Sequence, residues 1–282
     1  MSTSAVSDAQ LALSAAQSGA SVVREMFGTP LARVEKSAGD FATAADLAAE
    51  QTILDVLRTA RPDDAVTGEE SGRTGAYGAR RRWLVDPLCG TLNYAVRSML
   101  VAVNVALRVD SGAASRTTAA AAADPFSDEV FWTDGVRVQV RRNGTDEAPA
   151  PSAASRLVDL NLDPPFPHAP GFRAVHLLNS PDFAEHFRPR VVSTTLALAW
   201  VAAGRRAAYV TDGGDLRDSV HFAAGIALCE AAGCVVTGID GQPLGSGTGG
   251  LIAAADRQTH TTLLELTRGG VGGRRRGRHD GS

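Results

Sequence analysis

The sequence has little of what defines a disulfide scaffold, a membrane protein or a secreted protein. It contains three cysteines in 282 residues, and this small odd number predicts free thiols in a reducing compartment. No apolar run reaches the length of about 18 residues that a membrane-spanning helix needs. The first ten residues, MSTSAVSDAQ, lack the basic and apolar stretches of a secretion signal. We therefore expect a cytoplasmic protein that does not contact membranes.

The sequence also lacks an excess of positive charge. Its 28 basic and 31 acidic residues give a net charge of −3, which predicts no nucleic-acid partner. The basic residues include a single lysine, Lys36. Hydrophobic residues make up 44% and charged residues 21%, which is ordinary for a globular protein and excludes wholesale disorder.

The pattern along the chain predicts two subdomains, each containing helices and strands. Apolar periodicity predicts helices over residues 7–27 and 46–59, and buried strands over residues 83–86 and 101–108. A stretch rich in alanine, proline and serine over residues 145–155 indicates a boundary. We predict an N-terminal α+β subdomain over residues 1–147, a C-terminal α/β subdomain over residues 148–268, and a disordered basic tail over residues 269–282.

Four short stretches place carboxylates or glycines near the ends of these elements. They read DFATAAD (40–46), GEES (68–71), WLVDPLCGTLNY (83–94) and DSVHFAAG (218–225). In the third stretch, Asp86 ends a buried strand and a proline and a Gly-Thr pair follow, so backbone amides of the turn can face an anion. Carboxylate and carbonyl oxygens are the ligands that Mg²⁺ prefers. Together the stretches could supply metal-assisted phosphoryl transfer, although each alone also fits a solvated loop, a turn or a helix cap.

In their order and spacing, the four stretches resemble the signatures of the inositol monophosphatase family of metal-dependent sugar-phosphate phosphatases. Those signatures read D-x-x-T-x-x-D, G-E-E, W-x-x-D-P-x-D-G-T-x-N-[FY] and W-D-x-A-A-G, and the resemblance spans residues 36–244. It implies an α/β fold, the layered αβαβα sandwich of the inositol monophosphatase and fructose-1,6-bisphosphatase type. The first half would hold an antiparallel sheet between helices, and the second a smaller mixed sheet. The resemblance also implies an active site between the halves and a homodimer.

The resemblance assigns roles to residues that match the family motifs. It implies that Glu69, Asp86 and the carbonyl of Leu88 bind the principal Mg²⁺. It implies that Asp46 and Thr91 activate the attacking water, so that Asp46, Thr91 and Glu69 are the catalytic residues. The amides of Gly90 and Thr91 would bind the phosphate, and Lys36 falls at a position where the family often has a lysine near the site.

Two residues depart from the family pattern at a second metal site. Cys89 stands where the family has a metal-binding aspartate, and His221 stands where it has the acid of W-D. Three hypotheses follow: the second metal binds weakly, a softer ion such as Zn²⁺, or Mn²⁺, replaces it, or the protein is an inactive relative that binds a ligand or serves as a scaffold. Asp218, three residues before His221, either replaces the lost ligand or caps a helix that carries His221.

Cys89 is not favoured as a nucleophile, because cysteine phosphatases have an arginine six residues after the cysteine and this chain has Ala95 there. We therefore expect a Mg²⁺-dependent phosphomonoesterase acting on a small phosphorylated metabolite. The acid that contacts inositol hydroxyls in the inositol-specific members aligns with Gly214, so the substrate stays open among inositol-phosphate-like, sugar-phosphate-like and nucleotide-like compounds.

Overall fold

The computed structural model describes residues 6–30, 32–37, 40–76, 78–112, 115–162 and 174–269. Its helices are α1 (Asp8–Met26), α2 (Ala44–Ala60), α3 (Thr91–Ala95), α4 (Ala174–Leu177), α5 (Pro181–His186), α6 (Leu196–Ala202), α7 (Ala223–Ala232) and α8 (Arg257–Gly269). Its strands are β1 (Arg33–Ser37), β2 (Asp40–Thr43), β3 (Ala65–Gly68), β4 (Gly72–Thr74), β5 (Arg81–Cys89), β6 (Ala102–Asp110), β7 (Ser115–Asp124), β8 (Glu129–Thr133), β9 (Val138–Arg142), β10 (Thr145–Glu147), β11 (Leu157–Asn161), β12 (Arg188–Val191), β13 (Ala208–Thr211), β14 (Val235–Thr237) and β15 (Leu251–Ala254). Of the predicted basic tail, residues 270–282 lie outside the described residues.

The first half of the chain forms an eight-stranded sheet in the order β10-β9-β8-β7-β6-β5-β3-β4. Its pairs are antiparallel except one, because β3 runs parallel to β5. The sheet is thus antiparallel, as the resemblance implies, apart from this one pair. Strand β4 and the segment after it connect these two parallel strands. Helix α2 comes before β3 in the chain and packs on β5.

Helices α1 and α2 cover one face of this sheet. Helix α1 begins where the sequence predicts, because the Ser7 side chain accepts a hydrogen bond from the backbone N–H of Gln10 and caps the first turn. The two helices and the sheet share an apolar core that includes the buried side chains of Ile53, Leu57 and Trp83. This packing holds the start of α2 next to the end of β5.

Helices α6 and α7 lie between the large sheet and a second sheet. Their apolar residues form one cluster with Phe131 of the large sheet and with Tyr209 of the second. The second sheet has five strands in the order β12-β11-β13-β15-β14, with parallel and antiparallel pairs. Helices α4, α5 and α8 pack on its outer face around Phe183 and Leu263.

The layers therefore alternate as helix, sheet, helix, sheet and helix, which confirms the αβαβα sandwich. The strand β10 ends the large sheet at residue 147, and the next strand, β11, belongs to the second sheet. The division into two subdomains at residues 147/148 stays a prediction. Among the described helices, none combines the length and the apolar character needed to cross a bilayer.

Candidate active site and metal centre

The end of strand β5 brings the third motif to the site. The sequence predicts that this strand ends before Pro87. In the structure it continues to Cys89. Its pairing with β6 shifts register between Asp86 and Cys89, which lets the proline, lacking an N–H, sit inside the strand. Gly90 then turns the chain at φ 105°, and a Cβ there would lie 3.0 Å from the carbonyl oxygen of Leu100. Only glycine fits this turn, from which α3 begins.

Asp46 connects the first motif to the third. One of its carboxylate oxygens accepts hydrogen bonds from the backbone N–H of Thr43, at 2.8 Å, and from the Thr43 hydroxyl, at 2.5 Å. This closes a capping box at the start of α2. The other oxygen accepts a hydrogen bond from the Thr91 hydroxyl at 3.0 Å, and the carbonyl oxygen of Leu88 lies 3.3 Å from that hydroxyl. Asp46 therefore completes the capping box of α2 and also contacts the Thr91 hydroxyl of the third motif.

Asp46 is completely buried, and this burial raises the pKa of its carboxyl above the ordinary value. The hydrogen bonds from Thr43 and Thr91 act in the opposite direction and lower the pKa. Burial is the larger effect, so the carboxylate is more basic than an exposed aspartate. That is the property required of a residue that accepts a proton through the Thr91 hydroxyl.

The second motif is fixed by a glutamate that the sequence analysis missed. The buried carboxylate of Glu50, on α2, accepts the backbone N–H groups of Glu70 and Ser71, each at 2.8 Å. A Cβ on Gly68 would lie 2.6 Å from this carboxylate, so glycine is required there as well. Glu50 follows Asp46 by four residues on the same helix face. That spacing is the signal that could have identified Glu50.

Glu69 faces Lys36 on one side and Asp86 on the other. The Lys36 ammonium lies 3.0 Å from Oε1 of Glu69 and 2.6 Å from Oε1 of Glu70. Burial raises the pKa of Glu69, and the neighbouring charge of Asp86 raises it further, to about 8. Oε2 of Glu69 is buried and has no hydrogen-bond partner among the described residues. A buried carboxylate oxygen without a donor, close to a second carboxylate, is satisfied by a proton or by a bound cation, and the raised pKa of Glu69 corresponds to the first.

The residues expected to bind the principal metal therefore fit a hard divalent cation. Glu69 provides the unpartnered carboxylate oxygen, and Asp86 provides a fully buried carboxylate. The carbonyl of Leu88 lies two residues further along β5, and its own N–H donates to Oδ1 of Asp86 at 3.1 Å. All three donors are oxygens, as Mg²⁺ prefers.

Two further groups, Cys89 and His221, gather around Asp86. Nδ1 of His221 lies 2.8 Å from Oδ2 of Asp86. Ligand atoms of Asp86, Cys89 and His221 all lie within 4.8 Å of one another. Burial lowers the pKa of His221, but the charges of Asp86 and Glu69 outweigh it and raise the pKa to about 9. Burial, together with Asp86, raises the pKa of the Cys89 thiol, which is unsuited to act as a nucleophile.

Asp218 does not join this cluster, which corrects both expectations for it. Its carboxylate lies 2.8 Å from Nε of Arg108 and 3.7 Å from Arg82. These arginines are cross-strand neighbours on β6 and β5, and Arg108 is almost completely buried, so it needs a carboxylate partner. Helix α7 begins only at Ala223. Asp218 therefore does not cap a helix that carries His221.

The chain between Asp218 and His221 crosses the face of the large sheet. The ion pair of Asp218 with Arg108 fixes one end of this segment, and the contact of His221 with Asp86 fixes the other. Strand residues between these two points contribute Leu84 and Ala106 to a small apolar cluster under α7. The sequence carries no local signal for the contribution of Arg108, because its partner Asp218 lies more than a hundred residues away in the chain.

Comparisons with known proteins find relatives along nearly the whole chain. The model of the inositol monophosphatase family matches residues 6–270. An inositol-1-monophosphatase from Caulobacter vibrioides is 30% identical over 273 residues, which cover 91% of this chain and 99% of that protein. The Nus factor SuhB of Escherichia coli K12 is 32% identical over 266 residues, which cover 91% of this chain and 94% of that protein. Among solved structures, the extragenic suppressor protein SuhB of Bartonella henselae superposes with a TM-score of 0.77 at 25% identity. The superposition covers 93% of this chain and 98% of that protein.

Proposed function

Because the chain belongs to the inositol monophosphatase family, a family of metal-dependent phosphatases, we propose that it hydrolyses a small phosphomonoester with Mg²⁺ at its principal site. One observation carries this proposal: the Thr91 hydroxyl lies between the buried carboxylate of Asp46 and the carbonyl of Leu88, at 3.0 and 3.3 Å. This geometry supports the proposal that Thr91 and Asp46 accept a proton from water beside an oxygen that binds the metal.

Glu69, Asp86 and the Leu88 carbonyl would hold the Mg²⁺. When bound, the cation polarises a phosphate oxygen and lowers the pKa of nearby water. The protein contributes preorganised ligands. Glu50 fixes the turn that carries Glu69, and the N–H of Leu88 fixes Asp86. Lys36 reduces the repulsion between the clustered carboxylates.

Thr91 and Asp46 would activate the attacking water. The Thr91 hydroxyl donates its proton toward Oδ1 of Asp46, which leaves its oxygen free to accept a proton from water. The proton thus moves from water to Thr91 and from Thr91 to Asp46. The water oxygen forms the new bond to phosphorus, and the ester P–O bond breaks. The leaving oxygen takes up a proton from solvent water, and Asp46 returns its proton to solvent.

The amides of Gly90 and Thr91 would bind the phosphate. They open helix α3, and amides in the first turn of a helix have no acceptor within the helix. Their N–H groups can therefore stabilise the negative charge that builds up on the phosphate oxygens during transfer.

The substrate class is an inositol-phosphate-like, sugar-phosphate-like or nucleotide-like monoester. The position that aligns with the hydroxyl-binding acid of inositol-specific relatives is Gly214. Of its acidic neighbours, Asp212 is buried and accepts the backbone N–H of Ala174 at 2.7 Å. Asp215 is half-exposed and lies 3.5 Å from Arg217. We favour Asp215 as the acid available to a substrate hydroxyl.

A second candidate is a family member that binds a ligand or partner without turnover. Cys89 and His221 at the altered site favour it, and a relative at 32% identity is named a Nus factor. The net charge of −3 predicts that nucleic acid is not the partner.

Phosphate release from inositol, sugar and nucleoside monophosphates tests both candidates. The full chain is freed of metal, and Mg²⁺, Mn²⁺ or Zn²⁺ is then added singly. We expect release with Mg²⁺, lost in Glu69→Gln and retained in the control Glu147→Gln, whose carboxylate is mostly exposed. Absence of release with every metal and every substrate would refute the phosphatase and support the binding protein.

We further propose a cytoplasmic homodimer. The side chains of Leu92, Val96 and Met99 are all more than half exposed on and after α3. Asn93 joins this segment to the chain before α6, since its amide donates to the carbonyls of Leu100 and Ser193 at 2.9 and 2.7 Å. Such a contiguous apolar surface is typical of an interface.

A further inference from the structure

We propose that Asp86, Cys89 and His221 form a binding site for a borderline-soft divalent cation of the Zn²⁺ class, and not for a second Mg²⁺. A consequence for catalysis would rest on the proposed phosphatase function. Binding of the cation does not rest on that function, because the three side chains are present whatever the protein hydrolyses.

The chemistry of the donor set carries the first step of the argument. The site offers one carboxylate oxygen, one sulfur and one imidazole nitrogen, all within 4.8 Å of one another. Sulfur and imidazole nitrogen favour Zn²⁺ and related transition metals, whereas Mg²⁺ requires oxygen ligands in octahedral geometry. Three protein ligands are also the number that leaves tetrahedral Zn²⁺ one position for a small oxygen ligand.

The second step is that each of the three side chains is held in place by its own neighbours. The Leu88 N–H donates to Oδ1 of Asp86, which leaves Oδ2 toward His221. The backbone N–H of Thr195 donates to Sγ of Cys89 at 3.4 Å. An N–H directed at the sulfur stabilises a thiolate ligand, as outer hydrogen bonds do in metal sites.

The third step concerns His221, which comes from a distant part of the chain. It lies 135 residues from Asp86, and its segment is fixed on the sheet by the pair of Asp218 with Arg108. The ligands therefore meet without a metal, so binding requires little ordering of the chain. Cys229 and Cys234 do not take part in the cluster.

Titration of the metal-free full chain with Co²⁺ tests the proposal without substrate. A thiolate bound to Co²⁺ gives a charge-transfer band in the near ultraviolet, which carboxylate and imidazole ligands do not. We expect one equivalent of Co²⁺ to produce this band and Zn²⁺ to abolish it by displacement. A large excess of Mg²⁺ should leave it unchanged.

Variants assign the band to individual residues. Cys89→Ser should remove it, and His221→Gln should weaken Co²⁺ binding at least about tenfold, the smallest effect usual for loss of a metal-site partner. The matched controls Cys234→Ser and His186→Gln should change neither the charge-transfer band nor the affinity for Co²⁺. Circular dichroism establishes that each variant is folded. If Cys89→Ser does not fold, His221→Gln decides the result.

Absence of the band in the wild type would overturn the proposal. So would a band that persists in folded Cys89→Ser, disappears in Cys234→Ser, or is displaced by Mg²⁺ as readily as by Zn²⁺. A protein that shows the band but releases no phosphate would refute the phosphatase while supporting the metal site.

Discussion

Nδ1 of His221 lies 2.8 Å from Oδ2 of Asp86, a completely buried carboxylate 135 residues earlier in the chain. The imidazole occupies the place where the family motif supplies an acid. Since neighbouring carboxylates raise the pKa of His221 to about 9, the side chain carries a positive charge near neutral pH when no metal is bound. Asp86 thus has an imidazole nitrogen and a sulfur close by, together with the carboxylate of Glu69.

Replacing Thr91 with valine should abolish most of the activity without unfolding the protein. The change removes the hydroxyl that lies 3.0 Å from Asp46 and keeps the shape of the side chain. General-base assistance contributes about 10²–10⁴-fold to a rate, so kcat should fall by that factor while KM changes little. Thr91→Ser should retain most of the rate. A Thr91→Val enzyme within tenfold of the wild type in kcat would contradict this role.

Glu50 should act on catalysis through Glu69, as a positioning residue. Glu50→Gln leaves the N–H of Glu70 or Ser71 facing an amide group, which costs about 1–3 kcal/mol of unfolding free energy. The turn that carries Glu69 should loosen, so the Mg²⁺ concentration needed for half-maximal rate should increase. Glu25→Gln, on the exposed surface of α1, is the control. An unchanged Mg²⁺ requirement in folded Glu50→Gln would show a structural role alone.

Asp218 should stabilise the fold through Arg108. Asp218→Ala leaves Nε of an almost completely buried arginine without its carboxylate. We expect a loss of about 1–3 kcal/mol in a urea unfolding titration, toward the lower end because Asp218 is half-exposed. Asp215→Ala removes a surface partner of Arg217 and should change stability by less than about 0.5 kcal/mol. Equal effects of the two variants would argue against the anchoring role of Asp218.

Glu129 should make stability depend on pH in the acid range. Arg205 and Arg142 lower its pKa from 4.5 to about 2, although burial acts the other way. Because the folded-state pKa is depressed, the stabilisation is complete above pH 4.5 and is lost as the pH falls toward 2. Glu129→Gln should flatten this part of the stability curve, measured by thermal unfolding at stepped pH. Glu147→Gln should leave the curve as in the wild type.

The proposed homodimer should dissociate when charge is placed on the exposed surface near α3. Val96→Glu and Met99→Glu each put a carboxylate into an apolar area, where burial without a partner is costly. We expect light scattering after size exclusion to give twice the chain mass for the wild type and the chain mass for these variants. Val136→Glu, equally exposed in the β8–β9 turn, should remain dimeric. A monomeric wild type would refute the dimer.

The sequence alone determined the local parts of the site. The Ser7 cap of α1 and the capping box of α2 each join residues three positions apart, so these interactions can be predicted from spacing. The resemblance added the layered fold, which the structure confirms. The strand through Asp86 was predicted, but its extension past Pro87 was not, because that depends on a register shift against β6.

The tertiary structure decided how the distant segments meet. It directs Asp218 to Arg108 and His221 to Asp86, because a nearly buried arginine and a fully buried carboxylate each need an opposite charge. It also joins Glu50 to the turn after β3 and Thr195 to Cys89. The spacing of residues within one element does not predict these partners, since the contacts form only when separate elements pack and most buried polar groups acquire a partner.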